Sequence, residues 1–264
     1  INSVNYEFFP FGFNLSQKQA LNSALANNLS VIEGPPGTGK TQTILNIIAN
    51  AVVNGQSVAV VSSNNSTTKN VFEKLEKNGI EFIAALLGNS QNKKDFIDSQ
   101  KEIPELSKFN ITNDQKIEIK AKSATLLAQL SENLEKKNEL ALLKLDIENI
   151  KIEYEHFKEK NKGKIEGNIE FKKNITAKKI LNLWIFFEER EKQRKKICLI
   201  RRLLFKLKYG IKDKSFYTNS LDEMIFLCQS KYYPTKILEL TKKMELLEIS
   251  LINFAFDNKM KEYT

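Results

Sequence analysis

The sequence predicts an α/β chain in two parts: a small parallel sheet covered by helices over residues 1–110, and a long, mainly α-helical, coiled-coil-like hairpin over 111–264. Three observations predict it. Extended and helical patterns alternate through the first part, no glycine or proline occurs between Thr112 and Asn161, and the charge is unevenly divided. Residues 1–110 carry nine lysines against nine acids, whereas 111–264 carry 32 basic and 23 acidic side chains, so the whole excess of +9 belongs to the second part.

Taken in order, Ser16 and Gln19 spell a Ser-x-x-Gln capping box for a first helix that buries Ala20, Leu21, Ala24 and Leu25, with Gln17 in its first turn. Extended segments are predicted at 29–33, 57–62 and 81–87, and helices at 40–54 and 66–78. Ile44, Ile47, Ile48, Ala51 and Val52 give the second helix an apolar face, and Gly55 and Gly79 stand where left-handed C-caps belong. After Pro104 the character changes. The unbroken helical pattern of 112–161 would span roughly 75 Å, more than a compact domain's diameter, which suits one arm of a hairpin. Its apolar positions, among them Leu127, Leu130, Leu134, Ala141 and Leu145, drift instead of holding heptads. Gly163 and Gly167 interrupt the arm, helix resumes over 176–209, and Pro234 precedes a final helix at 235–262. That helix repeats Ile237, Leu240, Met244, Leu247 and Leu251 as a return arm.

Composition removes several classes. A chain of 264 residues with 41% hydrophobic content can bury a sizeable core. Its longest wholly apolar runs, 82–87 and 183–187 among them, fall far below the ~20 residues of a membrane-spanning helix, so no membrane partner is expected. Two cysteines, Cys198 and Cys228, without CxxC spacing and without a leader pattern at the N-terminus, fit packed thiols in a reducing, cytoplasmic setting. His156 is the single histidine, so no metal cluster is suggested, and Trp184, Phe186 and Phe187 read as packing.

The strongest chemical signal is Gly34-Pro35-Pro36-Gly37-Thr38-Gly39-Lys40-Thr41, which satisfies G-x-x-x-x-G-K-[ST] between a predicted strand and a predicted helix. Glycines let backbone N–H groups converge on phosphate oxygens, and the helix N-terminus adds a favourable dipole. Lys40 is expected on the β and γ phosphates of ATP, the Thr41 hydroxyl on Mg²⁺, and Gln42 completes the binding turn. Upstream, Gln17 presents an amide suited to the N6/N7 edge of adenine. Downstream, the polar turn Ser62-Ser63-Asn64-Asn65 opens a helix and offers donors to phosphates; Ser66 capping that helix is the plainer alternative.

Residues 14–20, 34–41 and 58–71 resemble the Q motif, motif I and motif Ia of superfamily 1 helicases. The most similar branch holds the nonsense-mediated-decay helicase and the replication helicase-nuclease, with bacterial members called AAA-domain proteins. The resemblance implies a partial RecA-like phosphate-loop ATPase domain and an ATP-driven motor on single-stranded DNA or RNA. It assigns Gln17 to adenine, Lys40 and Thr41 to catalysis at the phosphates and Mg²⁺, and Ser63, Asn64 and Asn65 to nucleic acid. Motif Ia departs from the common Ala-Pro-Ser-Asn wording, and residues 82–88 match the following strand weakly.

An apolar strand ending in Asp-Glu, needed to hold Mg²⁺ and orient the attacking water, is not found; Leu221-Asp222-Glu223 and Leu145-Asp146 both lack the strand. The expectation is a piece of a larger motor whose C-terminal region lies elsewhere, binding nucleotide with little turnover of its own. Within 190–214, eleven Lys and Arg face only Glu191 and Asp213. Arg201 and Arg202, amid Leu and Ile, are candidate nucleic-acid contacts, with an anionic membrane or an acidic protein as competing partners and a solvated helix packing its apolar face as the plainer reading. Two other functions compete: a chromosome-organising scaffold ATPase, in which nucleotide joins two heads and the hairpin acts as a scaffold, and a nucleotide-gated binding module without turnover.

Overall fold

A computed structural model describes residues 7–88, 90–98, 110–163, 170–193, 197–211 and 215–264. Pro104, Gly167 and the basic residues Arg194, Lys195, Lys196, Lys212 and Lys214 lie outside that description. Along the chain run helices α1 (Leu15–Ala26), α2 (Lys40–Val53), α3 (Asn65–Lys77), α4 (Ser90–Asp98), α5 (Asn113–Lys160), α6 (Ala177–Lys192), α7 (Leu199–Tyr209), α8 (Leu221–Phe254) and α9 (Phe256–Tyr263). They form two compact units: Ile1–Glu135 with Phe254–Thr264, and Lys136–Asn253.

The predicted RecA-like parallel sheet is not there: the described residues contain no strand. Residues 28–35 and 56–62 are irregular chain, and Glu81–Ile83 is a short 3-10 helix. Leu29 and Val61, which a sheet would bury, are 84% and 89% exposed. The physical reason lies in α2. Parallel strands need helices covering both faces, yet the inward face of α2 is already taken by α1, α3 and the backbone of residues 8–12.

In the first unit, α1 is capped by Asn14, not Ser16. The Asn14 Oδ1 accepts the Gln17 N–H and the Gln17 Oε1 accepts the Asn14 N–H, both at 2.9 Å. The box therefore stands two residues earlier than predicted, because Asn caps at least as well as Ser and Phe13 is buried just ahead of it. Helix α2 ends as expected, with Gly55 at φ 72° and the Gln56 N–H on the Ala51 carbonyl at 2.9 Å; Gly79 closes α3 in the same way. One apolar cluster joins Phe9, Phe13 and Leu21 to Leu127 and Leu130 of α5 and to Phe254, Phe256, Met260 and Tyr263. Another joins Leu45 and Ile48 of α2 to Val71 and Leu75 of α3.

In the second unit, α5 continues as the predicted long helix and α8 runs antiparallel to it. Tyr154 stacks on Tyr233 and Phe157 on Phe226, while Glu139 pairs with Lys243 further from that end. Helix α8 does not begin after Pro234 but passes through it. A helix-interior proline costs ~3 kcal/mol; burial of Met224, Phe226, Leu227, Cys228 and Tyr233 around it outweighs that cost. The break falls instead at Ala255, with φ 51°. The core gathers Ile180, Leu183 and Phe187 from α6, Phe205 and Tyr209 from α7, and the first turns of α8. Trp184 packs edge-on to Tyr232, as a packing residue should. Cys228 is buried, but Cys198 is exposed at the start of α7, which corrects the expectation of two packed thiols.

Candidate phosphate-binding site

The loop from Gly34 to Gly39 leads directly into α2, whose N-cap is Gly39 at φ 83°. This left-handed conformation favours glycine, and the space does too: a Cβ on Gly39 would collide with the Gln17 amide. Thr38 ties the turn by donating its hydroxyl to the Pro35 carbonyl at 2.9 Å. Lys40 folds back across the loop and donates to the carbonyls of Gly34 at 2.5 Å and Pro35 at 3.0 Å. Its ammonium is thus held by neutral acceptors, which an anion displaces at an electrostatic gain. The positive end of the α2 dipole lies at the same place.

Two recesses flank the loop. The larger, an open cleft of about 1070 Å³, is lined by Gly37, Gly39, Lys40, Thr41 and Gln42, with Phe11, Lys74, Lys77 and Met260 across from them. The smaller, about 220 Å³, is lined by Gln17, Thr38, Lys40 and Thr43. Lys40 alone of the predicted phosphate ligands reaches both. Gln17 is buried, and its side chain is used from both ends. Its Oε1 caps α1, while Nε2 faces the carbonyls of Thr38 at 3.4 Å and Gly39 at 3.3 Å and the Gln42 Oε1 at 3.1 Å. The amide predicted to read a base is fastened to the phosphate loop.

Behind the loop, α2 carries an amide every four residues, a pattern the apolar reading of that helix overlooked. Gln42 Nε2 donates to the Phe11 carbonyl. Asn46, 1% exposed, accepts from the Phe11 N–H at 3.2 Å and donates to the Gly12 carbonyl at 2.9 Å. Asn50, fully buried, accepts from the Phe8 N–H at 2.9 Å and donates to its carbonyl at 2.6 Å. Three side chains therefore supply the pairing that residues 8–12 would otherwise seek in a ladder. Tyr263 adds a contact from the far end of the chain, its hydroxyl accepting from the Phe9 N–H at 3.1 Å.

The other predicted contacts lie apart. Ser63, Asn64 and Asn65 form an exposed turn at the start of α3 and line neither recess. Asn64 is the N-cap, its Oδ1 accepting from both the N–H and the hydroxyl of Ser66 at 2.9 Å, so Ser66 is the capped residue and not the cap. Arg201 and Arg202 belong to the second unit. The Arg201 guanidinium sits 5.0 Å from the Phe186 ring centre and that of Arg202 5.8 Å from the Tyr217 ring centre. Sequence reasoning also missed Lys74 and Lys77, whose only signal was a lysine pair three apart on α3.

An AAA-domain family model matches residues 12–220. The DNA polymerase alpha-associated DNA helicase A of Schizosaccharomyces pombe is 36% identical over 78 residues, covering 29% of this chain and 12% of that protein. The DNA-binding protein SMUBP-2 of Mus musculus is 44% identical over 69 residues, 26% of this chain and 7% of its own length. The DNA replication ATP-dependent helicase/nuclease JHS1 of Arabidopsis thaliana is 34% identical over 82 residues, 31% of this chain and 6% of its own. The match thus spans 12% or less of the length of these three relatives. No solved structure matches.

Proposed function

The chain belongs to the AAA-domain family, and on that premise we propose that it is the nucleotide-binding part of an ATP-dependent motor acting on nucleic acid, of the helicase kind. The observation that carries this reading is the Gly34-to-Thr41 loop at the α2 N-terminus, with Lys40 donating to the Gly34 and Pro35 carbonyls beside an open cleft roomy enough for a nucleotide. In this reading the backbone N–H groups opening α2 receive phosphate oxygens, and Lys40 exchanges the Gly34 and Pro35 carbonyls for the β and γ phosphates. Half-buried Thr41 lines the same cleft, where its hydroxyl suits a Mg²⁺ ligand. Mg²⁺, if held there, would supply charge neutralisation for the phosphates. Gln17 steadies the loop from behind.

The names of the relatives support nucleic acid as the partner, with single-stranded DNA the first substrate to try and RNA the second. Ser63, Asn64 and Asn65 are the exposed donors proposed to meet the strand. With no Asp-Glu-terminated apolar strand in its sequence, the chain is proposed to bind ATP with little turnover of its own. The test is a titration with a fluorescent ATP analogue and Mg²⁺, comparing the chain with Lys40→Ala. Binding weakened at least ~10-fold in the variant is expected, since a charge-assisted contact is worth about 1.5–3 kcal/mol. Equal binding by both proteins, or none by the unaltered chain, refutes the assignment.

A further inference from the structure

Helix α7 presents an aliphatic stripe to solvent: Leu199 is 80% exposed, Ile200 73%, Leu203 60%, Leu204 54% and Leu207 65%. The spacing makes these one surface. Positions 199, 203 and 207 follow one another along the helix, with 200 and 204 beside them, so the five share a continuous arc. Together they expose on the order of 600 Å², at the upper end of the roughly 300–600 Å² of the largest apolar patch on a typical monomer. The opposite side of the helix is fixed, because Phe205 and Tyr209 are buried in the core of the second unit.

Charge borders this stripe on both sides. At 100° per residue, Arg201 and Lys208 follow one edge of the arc, and Lys206 and Arg202 precede the other. No acidic residue occurs in α7. A shallow, open recess of about 500 Å³ is lined by Arg201, Leu204, Phe205, Leu207 and Lys208. We propose that α7 is a docking face for an acidic amphipathic helix of a partner protein, whose apolar ridge lies on the stripe and whose Asp and Glu side chains meet the basic borders.

The observations favour this occupant over two others. Nucleic acid would use the borders and leave the stripe in water, since phosphates gain nothing from leucine. An anionic bilayer would also cover stripe and borders; the shallow recess among Leu204, Phe205 and Leu207 favours a partner helix, whose side chain has a seat there, and the vesicles below test the bilayer directly.

The test uses the full chain and defined probes, measured by fluorescence anisotropy. These are a Leu-faced helical peptide of about 18 residues with Glu on both borders, the same peptide with Lys borders, a single-stranded oligonucleotide, and phosphatidylcholine–phosphatidylserine vesicles. The Glu-bordered peptide is expected to bind and the Lys-bordered one not. Leu203→Glu and, separately, Lys206→Glu with Lys208→Glu are each expected to weaken binding at least ~10-fold. Unchanged helix content by circular dichroism, with buried Cys228 still protected from a thiol reagent, verifies that the second unit of each variant is folded. The proposal is overturned if the Glu-bordered peptide does not bind, if it binds equally to Leu203→Glu, or if the oligonucleotide or the vesicles bind in a manner that Leu203→Glu abolishes.

Discussion

Replacing Gln17 by methionine separates two roles for that side chain. Methionine keeps length and burial but removes both polar ends. Lost at one end is the reach-back to the Asn14 N–H; lost at the other is the donation to Thr38, Gly39 and Gln42. Two amide hydrogens serve those three acceptors, so at most two bonds count at once. The carbonyl contacts of 3.3 and 3.4 Å are long, which puts them at the weak end of the range. At about 0.5–1 kcal/mol each, the loop loses roughly 1–2 kcal/mol of restraint, or about 5–30-fold in nucleotide affinity. The assay is a pair of titrations, with fluorescent ATP and GTP analogues, on Gln17→Met and the unaltered chain, after circular dichroism verifies equal helix content. If Gln17 acts by holding the loop, both nucleotides weaken alike. Weakening of ATP with GTP untouched would refute that reasoning in favour of base recognition, and no change in either would dismiss both roles.

Asn46→Leu keeps the branched shape but strands the Phe11 N–H and the Gly12 carbonyl, at about 1–3 kcal/mol per buried orphan, so the first unit should lose about 2–6 kcal/mol. Urea denaturation followed by circular dichroism reads the loss, and faster hydrogen exchange at residues 8–12 locates it; unaltered exchange there would contradict the pairing. Burial pushes the Cys228 thiol well above its ordinary value of 9.0. The folded state holds that proton more tightly than the unfolded one. The contribution is therefore fully present below pH 9 and is lost as pH climbs from there towards the raised value. In the native protein a thiol reagent should take exposed Cys198 at once and Cys228 only on unfolding, and equal labelling of the two would show that the α8 core is open.

The helices were legible wherever their own residues decided them. The 112–161 pattern is α5 almost to the residue, and Gly55 and Gly79 announced the ends of α2 and α3. The errors arose where a distant partner decided. Apolar residues at 29–33 and 57–62 look like strands by composition, but a strand exists only when paired, and α2 has its inward face committed elsewhere. Pro234 reads locally as the boundary before a final helix, but the packing of α8 carries the helix through it. The phosphate loop itself was plain, because its glycines and lysine are required by local geometry. What hid was its support: Asn46 and Asn50 are polar residues on a face judged by its isoleucines, and nothing nearby in sequence reveals that their partners are the backbone of Phe8, Phe11 and Gly12.

That support is made of the amides of Gln42, Asn46 and Asn50 with the Tyr263 hydroxyl beside them, groups that carry no net charge and do not titrate in acid. The α5–α8 contacts of the second unit are bordered by ion pairs such as Glu139 with Lys243 and Lys144 with Glu248. In the first unit, Lys122 holds the Glu262 carboxyl below its usual range. Such exposed pairs loosen with salt or acid. The anchorage of residues 8–12 behind the phosphate loop is indifferent to both, so the loop's foundation should keep its register in conditions that slacken the long helices.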